Sequence, residues 1–140
     1  MLETSIVTQL ANRITNAQIQ QLEAHIAQEA LARQLQNQTE QVRLSGLFHV
    51  KLTQLLGNQV LTDMVRDLVT RTSLIVARFG TASDGHCCNE DEHLALSQAL
   101  GDGDGARAQQ LMTDHLNHIQ NALVFAEKRQ NQNSLRHLIS

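Results

Sequence analysis

A chain of 140 residues is long enough for one domain with a buried core, and its net charge of −3 argues against a free-standing nucleic-acid binder. No apolar run is long enough to predict a membrane span, and the first residues lack the pattern of a signal peptide. The two cysteines, Cys87 and Cys88, are adjacent, so a relaxed disulfide between them is disfavoured, and free thiols predict a cytoplasmic location.

The elements predicted along the chain are all helices, because the sequence has no proline and is rich in leucine, glutamine and alanine. Apolar spacing predicts six of them, over residues 2–13, about 16–36, 39–56, 60–79, 90–100 and 105–131, with 132–140 as a frayed tail or one more turn. A capping-box pattern from Thr15 to Gln18 opens the second helix, Gly57 stops the third, and Asp104 can cap the sixth. Six helices joined by short loops predict an all-α antiparallel bundle.

The fourth predicted helix carries an apolar face with two arginines beside it. The residues expected to point inward are Leu61, Met64, Val65, Leu68, Ile75, Val76 and Phe79. Arg71 and Arg78 continue the row formed by Leu68 and Ile75. A guanidinium there could bind a carboxylate through two hydrogen bonds, or it could extend along its aliphatic stem to the surface. Both interpretations stay open for Arg71, and the surface position is favoured for Arg78.

Three histidines, His49, His93 and His115, interrupt apolar stripes on three separate helices. A buried imidazole without a partner costs free energy, and three that face one interior could be satisfied together by a metal ion. The spacing leaves open that each is an ordinary core histidine bonded to a carbonyl. The other four are expected elsewhere: His25 at the periphery, His118 three residues after His115, His86 in a loop and His137 in the tail.

Two stretches, LSGLFHVKLTQLLGNQVLTDMVRDLVTR and NEDEHLALSQALGDGDGARAQQLMTDHLNHI, resemble the C-terminal effector-binding (FCD) domain of FadR-type regulators in the GntR superfamily. The shared elements, in the family's order, are Phe48-His49, Gly57-Asn58, Glu92-His93, Gly101-Asp102, Ala106, Met112 and His115-Leu116. The start, MLETSIVTQLAN, is also similar to the start of the family's domain. The resemblance therefore covers nearly the whole chain and implies one helical effector-binding and dimerisation domain over residues 1–140.

The resemblance also implies a ligand set. Such domains sense a small metabolite, often a carboxylate or a sugar acid, and many bind a divalent metal, here expected to be zinc or nickel, through residues that map to His49, His93 and His115. The family's acidic fourth ligand maps to Ser45, which is a departure because serine is a poorer ligand than a carboxylate. Ser45, Arg71, Arg78 and His118 are expected to face the effector.

The implied biology is that of a homodimeric, non-enzymatic regulator. DNA would be contacted only by a winged helix-turn-helix domain that precedes this domain in the family and is not in this chain, so a piece of a longer regulator is expected. Two other classes stay open. One is a metal-dependent enzyme, disfavoured because Glu92 and Asp114 should turn away from the histidines next to them. The other is a metal-free structural or dimerisation bundle.

Overall fold

The computed structural model describes residues 2–79 and 90–139, except for the side chains at 77–79 and 125–126. Within those ranges the chain forms six helices and no strand: α1 (Leu2–Ala11), α2 (Asn16–Gln34), α3 (Gln38–Leu56), α4 (Gln59–Phe79), α5 (Glu90–Gly101) and α6 (Gly105–Ile139). The all-α prediction is confirmed. The predicted irregular stretch 80–89, with the cysteine pair and His86, lies outside the described residues, as do the side chains of Arg78 and Phe79.

The helix boundaries follow the local signals in the sequence. Gln18 donates its backbone N–H to Thr15 Oγ1 at 3.2 Å, and the Gln18 side chain accepts from the Thr15 backbone at 3.0 Å, which completes the predicted capping box. Gly57 ends α3 with a φ of 82°, a left-handed conformation that glycine adopts without strain. Asp104 accepts a hydrogen bond from the Arg107 backbone at the start of α6.

The longest element is α6, whose 35 residues continue past the predicted end near residue 131. Its last turns are exposed, and His137 lies there, as expected of a tail residue. Neither α6 nor any other helix in the described part of the chain has the length and apolarity needed to cross a membrane.

The core lies where α1, α2, α3, α5 and α6 meet. Among its fully buried side chains are Phe48, Leu10, Leu22, Leu96, Leu100 and Met112. Helix α1 packs on α6, α2 packs on both α3 and α5, and α5 packs on α6. This arrangement brings α3 together with α5 and α6, which follow much later in the sequence, around one point inside the bundle.

Helix α4 differs from its predicted packing. Val65 and Val76 are buried as expected, but Met64, Leu68 and Ile75 are 51%, 54% and 44% exposed. The physical reason is that α4 packs mainly along α3 and only sparsely on α6. Leu68 and Ile75 consequently line an open cavity instead of closing a core.

Candidate metal and effector site

Three histidine side chains from three helices converge in the bundle interior. His49 on α3, His93 on α5 and His115 on α6 are all buried, and their ligand nitrogens lie within 4.8 Å of one another. The Nε2 atom of His115 lies 3.1 Å from Nε2 of His93 and 3.2 Å from Nε2 of His49. The convergence expected from the three interrupted stripes is therefore present, and we call these residues the histidine triad.

Each imidazole of the histidine triad has a carboxylate beside its other nitrogen. His93 Nδ1 lies 2.9 and 3.0 Å from the two Glu29 oxygens, and His115 Nδ1 lies 2.5 Å from Glu92 Oε2. His49 Nδ1 lies 2.6 Å from Glu3 Oε1, in an ion-pair contact without the alignment of a regular hydrogen bond. A carboxylate at Nδ1 fixes the ring orientation and favours the tautomer with its proton on Nδ1, leaving the Nε2 lone pair free to bind a metal.

The ring positions are fixed further by packing. Phe48, which is fully buried, stacks on the His93 ring with centroids 4.0 Å apart and an interplanar angle of 10°. The His49 and His115 rings are themselves stacked, with centroids 5.2 Å apart. Because Phe48 and His49 are consecutive on α3, one helix both supplies a ligand and supports another.

Burial favours the neutral, metal-binding form of His93 and His115. Burial lowers the pKa of His93 well below its usual value, and the neighbouring His49 and His115 lower it further. Burial and His49 also lower the pKa of His115, against a smaller opposite effect of Glu92. Three neutral imidazoles with Nε2 lone pairs aimed at one point repel one another unless a cation lies between them.

The carboxylates respond to the same burial in two ways. Burial, with the nearby Glu90 carboxylate, raises the pKa of Glu29 to about 8. For Glu3 and Glu92 burial also raises the pKa, but interactions with His49 and His115 at Glu3, and with His115 and His118 at Glu92, together outweigh burial, so both pKa values are lowered. With a pKa of about 8 Glu29 is largely protonated at neutral pH, so the negative charge behind the rings lies on Glu3 and Glu92, where a divalent cation at Nε2 would balance it.

Two of the three nitrogen separations, those from His115, fit a first-row divalent ion. With metal–nitrogen bonds of about 2.0–2.1 Å, ligands at 90° would place their nitrogens about 2.9 Å apart, and tetrahedral ligands about 3.3 Å apart. The measured separations of 3.1 and 3.2 Å lie between these values. Three nitrogen ligands on one side of an ion leave coordination positions open on the other side.

A cavity of about 590 Å³ adjoins the histidine triad on the side of α4. Ser45 and His49, one turn apart on α3, line it together with residues of α1, α4 and α6. Ser45 is buried and lines the cavity, as does His49, the one member of the histidine triad among the described lining residues. A small molecule in the cavity would have direct access to His49.

The other predicted effector residues lie elsewhere. Arg71 is 74% exposed, and its Nε lies 3.2 Å from Asp67 Oδ2 on the surface of α4, so this guanidinium takes the surface alternative and does not line the cavity. His118 is 59% exposed, and its Nδ1 lies 2.5 Å from Glu92 Oε1. It therefore contacts the carboxylate behind His115 and not the cavity. The side chain of Arg78 lies outside the described residues.

The structure corrects one expectation from the sequence and extends another. His25 is buried, not peripheral, and its Nε2 lies 2.7 Å from the Leu44 carbonyl, which makes it a core histidine bonded to a carbonyl. Glu92 does turn away from His93, its neighbour in sequence, but it reaches across to His115 on α6. Both Glu92 oxygens are thereby engaged, by His115 and His118.

Sequence reasoning missed Glu3 and Glu29 although each continues a buried line of its helix. Glu29 follows Ile26 by three residues on α2, and Glu3 precedes the buried Val7 by four on α1. A carboxylate on an apolar stripe is the same signal that singled out the three histidines, because a buried charge requires a partner.

Comparison with known proteins identifies the family to which the chain belongs. A family model described as FCD domain matches residues 1–118, more than four fifths of the chain. The chain belongs to the FCD family. FCD domains are the C-terminal domains of FadR/GntR-type regulators, as the sequence resemblance implied.

The FCD match covers all three histidines and their three carboxylates. It ends within α6, at His118, one turn after the last histidine of the triad. A search of curated proteins gave no match, and neither did a search of solved structures. Membership of the FCD family indicates an effector-binding regulatory domain, and FCD domains belong to transcription regulators, which are generally not enzymes.

Proposed function

We propose that this FCD domain is a metal-dependent sensor of a small anionic metabolite. His49, His93 and His115 hold a divalent ion, zinc or nickel, through Nε2, and a bound ion offers its open positions to the effector's carboxylate. One observation carries the proposal. The Nε2 atoms of the three histidines converge, while a separate glutamate contacts the Nδ1 atom of each ring.

The chain's own residues have distinct tasks in this proposal. Glu3, Glu29 and Glu92 orient the imidazoles and keep the Nε2 lone pairs free. Ser45 and His49 form the boundary that an effector crosses from the cavity to the metal. Both carboxylate oxygens of Glu92 are engaged by imidazoles, so Glu92 is not free to act as a general base, which argues against an enzyme.

In the intact regulator we propose that this domain pairs with a second copy and that DNA is read by a winged helix-turn-helix domain elsewhere in the protein. An effector regulates DNA binding only if it binds one helix arrangement more tightly than another. The cavity wall fits such a role, because α4 packs mainly on α3 and only sparsely on α6.

The test is metal stoichiometry after chelation. Protein stripped with a chelator and dialysed against Zn²⁺ or Ni²⁺ should bind one ion per chain, measured by elemental analysis. His93→Gln should abolish uptake, and His25→Gln is the matched control, because His25 is an equally buried histidine outside the triad. Wild-type protein that takes up no metal, or equal loss in both variants, would refute the proposal.

A further inference from the structure

The cavity beside the histidine triad has a chemical character of its own. Its walls are apolar side chains from two helices: Val65, Leu68, Val69 and Ile75 of α4, and Leu116 and Ile119 of α6. Hydroxyls and amides are few and lie apart along the wall, at Ser45, Thr72, Ser73 and Gln120. Its volume of about 590 Å³ is in the range of small-molecule sites, roughly 300–1,000 Å³.

The charges around the cavity are all negative among the lining residues that the structure describes. Glu3 and Glu127 line it, and none of the described lining residues is a lysine or an arginine. Arg71, the cation expected there from the sequence, is on the surface and paired with Asp67. Because Glu3 lies against His49, an anionic group away from the histidine triad would face the carboxylate of Glu127, with no cation among the described lining residues to bind it.

We propose that the effector is a monocarboxylate with an apolar body. Its single carboxylate binds at the metal beside His49 and Ser45, and its hydrocarbon part lies between α4 and α6. The position of the carboxylate in this inference rests on the proposed function. A sugar acid fits less well, because most of its hydroxyls would lose water without gaining a hydrogen-bond partner on these walls.

A hydrocarbon part of the effector would also explain why apolar residues of α4 are exposed. Leu68 and Ile75 are about half exposed although they lie on the inward stripe, and both line the cavity. A bound hydrocarbon chain would cover them and remove apolar surface from water. The occupant of this groove is thus a small amphipathic acid whose polar end is defined by the adjoining histidine triad.

The experiment is a chain-length series. The protein is loaded with Zn²⁺, and the dissociation constants of straight-chain monocarboxylates from acetate to decanoate are measured by calorimetry, with gluconate and glutarate as polar comparators. We expect affinity to rise with each added methylene, by at most about fourfold from the transfer free energy of a CH₂ group. No dependence on chain length, or tighter binding of gluconate or glutarate, would overturn the proposal.

A variant pair locates the binding. Ser73→Trp fills the cavity from α4 and should weaken octanoate by at least tenfold while leaving acetate within twofold. Thr70→Trp, on the same helix but outside the cavity, is the matched control. Equal effects of the two variants on octanoate would overturn the proposal, and thermal melts identify a variant that fails to fold, in which case the wild-type series decides.

A metal-free arm separates this inference from the proposed function. If the protein binds no metal, the proposed function fails, while a rise of affinity with chain length in stripped protein still supports an apolar ligand. If metal binds and the length series is flat, only the inference on the effector fails. A second copy lying in the groove would also give a flat series, with a dimer by light scattering that Ser73→Trp disrupts, and this result too would overturn the proposal.

Discussion

Replacement of Glu92 by glutamine is the sharpest test of how the site works. Glu92 contacts no metal-facing atom: its oxygens lie 2.5 Å from Nδ1 of His115 and 2.5 Å from Nδ1 of His118. The change keeps the shape of the side chain and removes its charge. If Glu92 acts by orienting and polarising His115, the variant should fold normally and bind metal more weakly.

The size of the effect follows from the geometry. Loss of such a carboxylate behind a ligand histidine costs about 10–100-fold in metal affinity. Glu92 is 24% exposed and hydration compensates part of its charge, so we expect a value near the lower end. At a metal concentration of 100 times the wild-type Kd, metal stabilises the fold by about 2.7 kcal/mol, which falls to about 1.4 kcal/mol for a tenfold weaker site.

The assay is the increase in Tm on adding Zn²⁺ to stripped protein. For a chain of this size about 1 kcal/mol corresponds to about 3–4 °C, so the increase should fall from about 8–11 °C to about 4–6 °C. Asp114→Asn is the matched control, since Asp114 adjoins His115 in sequence but bonds Gln110 on the surface of α6. The same increase in wild type and Glu92→Gln would refute the assigned role of Glu92.

Three further results are expected. Ser45→Asp places a carboxylate one turn before His49 and should tighten metal binding, measured by competition with a chelating dye; unchanged affinity would count against the mapping of the family's acidic ligand. Gly46→Ala should lower the free energy of unfolding by about 1–3 kcal/mol in urea, because the new Cβ would lie 2.5 Å from Val69 Cγ1, and a smaller loss when Val69→Ala is also present would identify the clash as the cause. Burial lowers the pKa of His25 in the folded protein, so as the pH falls His25 is protonated in the unfolded chain before it is protonated in the folded one. Wild-type stability should therefore fall as the pH drops below about 6.5. His25→Gln should show a shallower fall between pH 7 and 5 in urea titrations, and parallel curves would contradict this assignment.

Local periodicity was sufficient for the helices and for the buried position of each histidine, whereas the convergence of the three was left open by their spacing and implied by the resemblance to the FCD domain. His49, His93 and His115 each interrupt an apolar stripe, and a stripe identifies the buried face of its own helix. The capping box at Thr15 was predictable for the same reason, since its bonds join residues three apart.

What the sequence did not predict depends on how helices are set against each other. Glu29 lies 64 residues from His93, and their contact requires the relative positions of α2 and α5, which no periodicity specifies. The exposure of Leu68 is a similar case: its place on the stripe of α4 is correct, but whether another helix covers that stripe is a property of the assembled bundle. Arg71 reached the surface because Asp67, one turn earlier, gives it a partner there.

Because α6 is long, a movement of the helix at the histidine triad would displace a distant part of the same helix. From His115 the helix continues to Ile139, 24 residues further, or about 36 Å at 1.5 Å per residue. If α6 pivots as a rigid rod about His115 by about 5°, its far end moves by about 3 Å, which exceeds the rise of a whole residue. A small rotation at His115 would thus displace the far end of α6 enough to change its contacts with a molecule bound there.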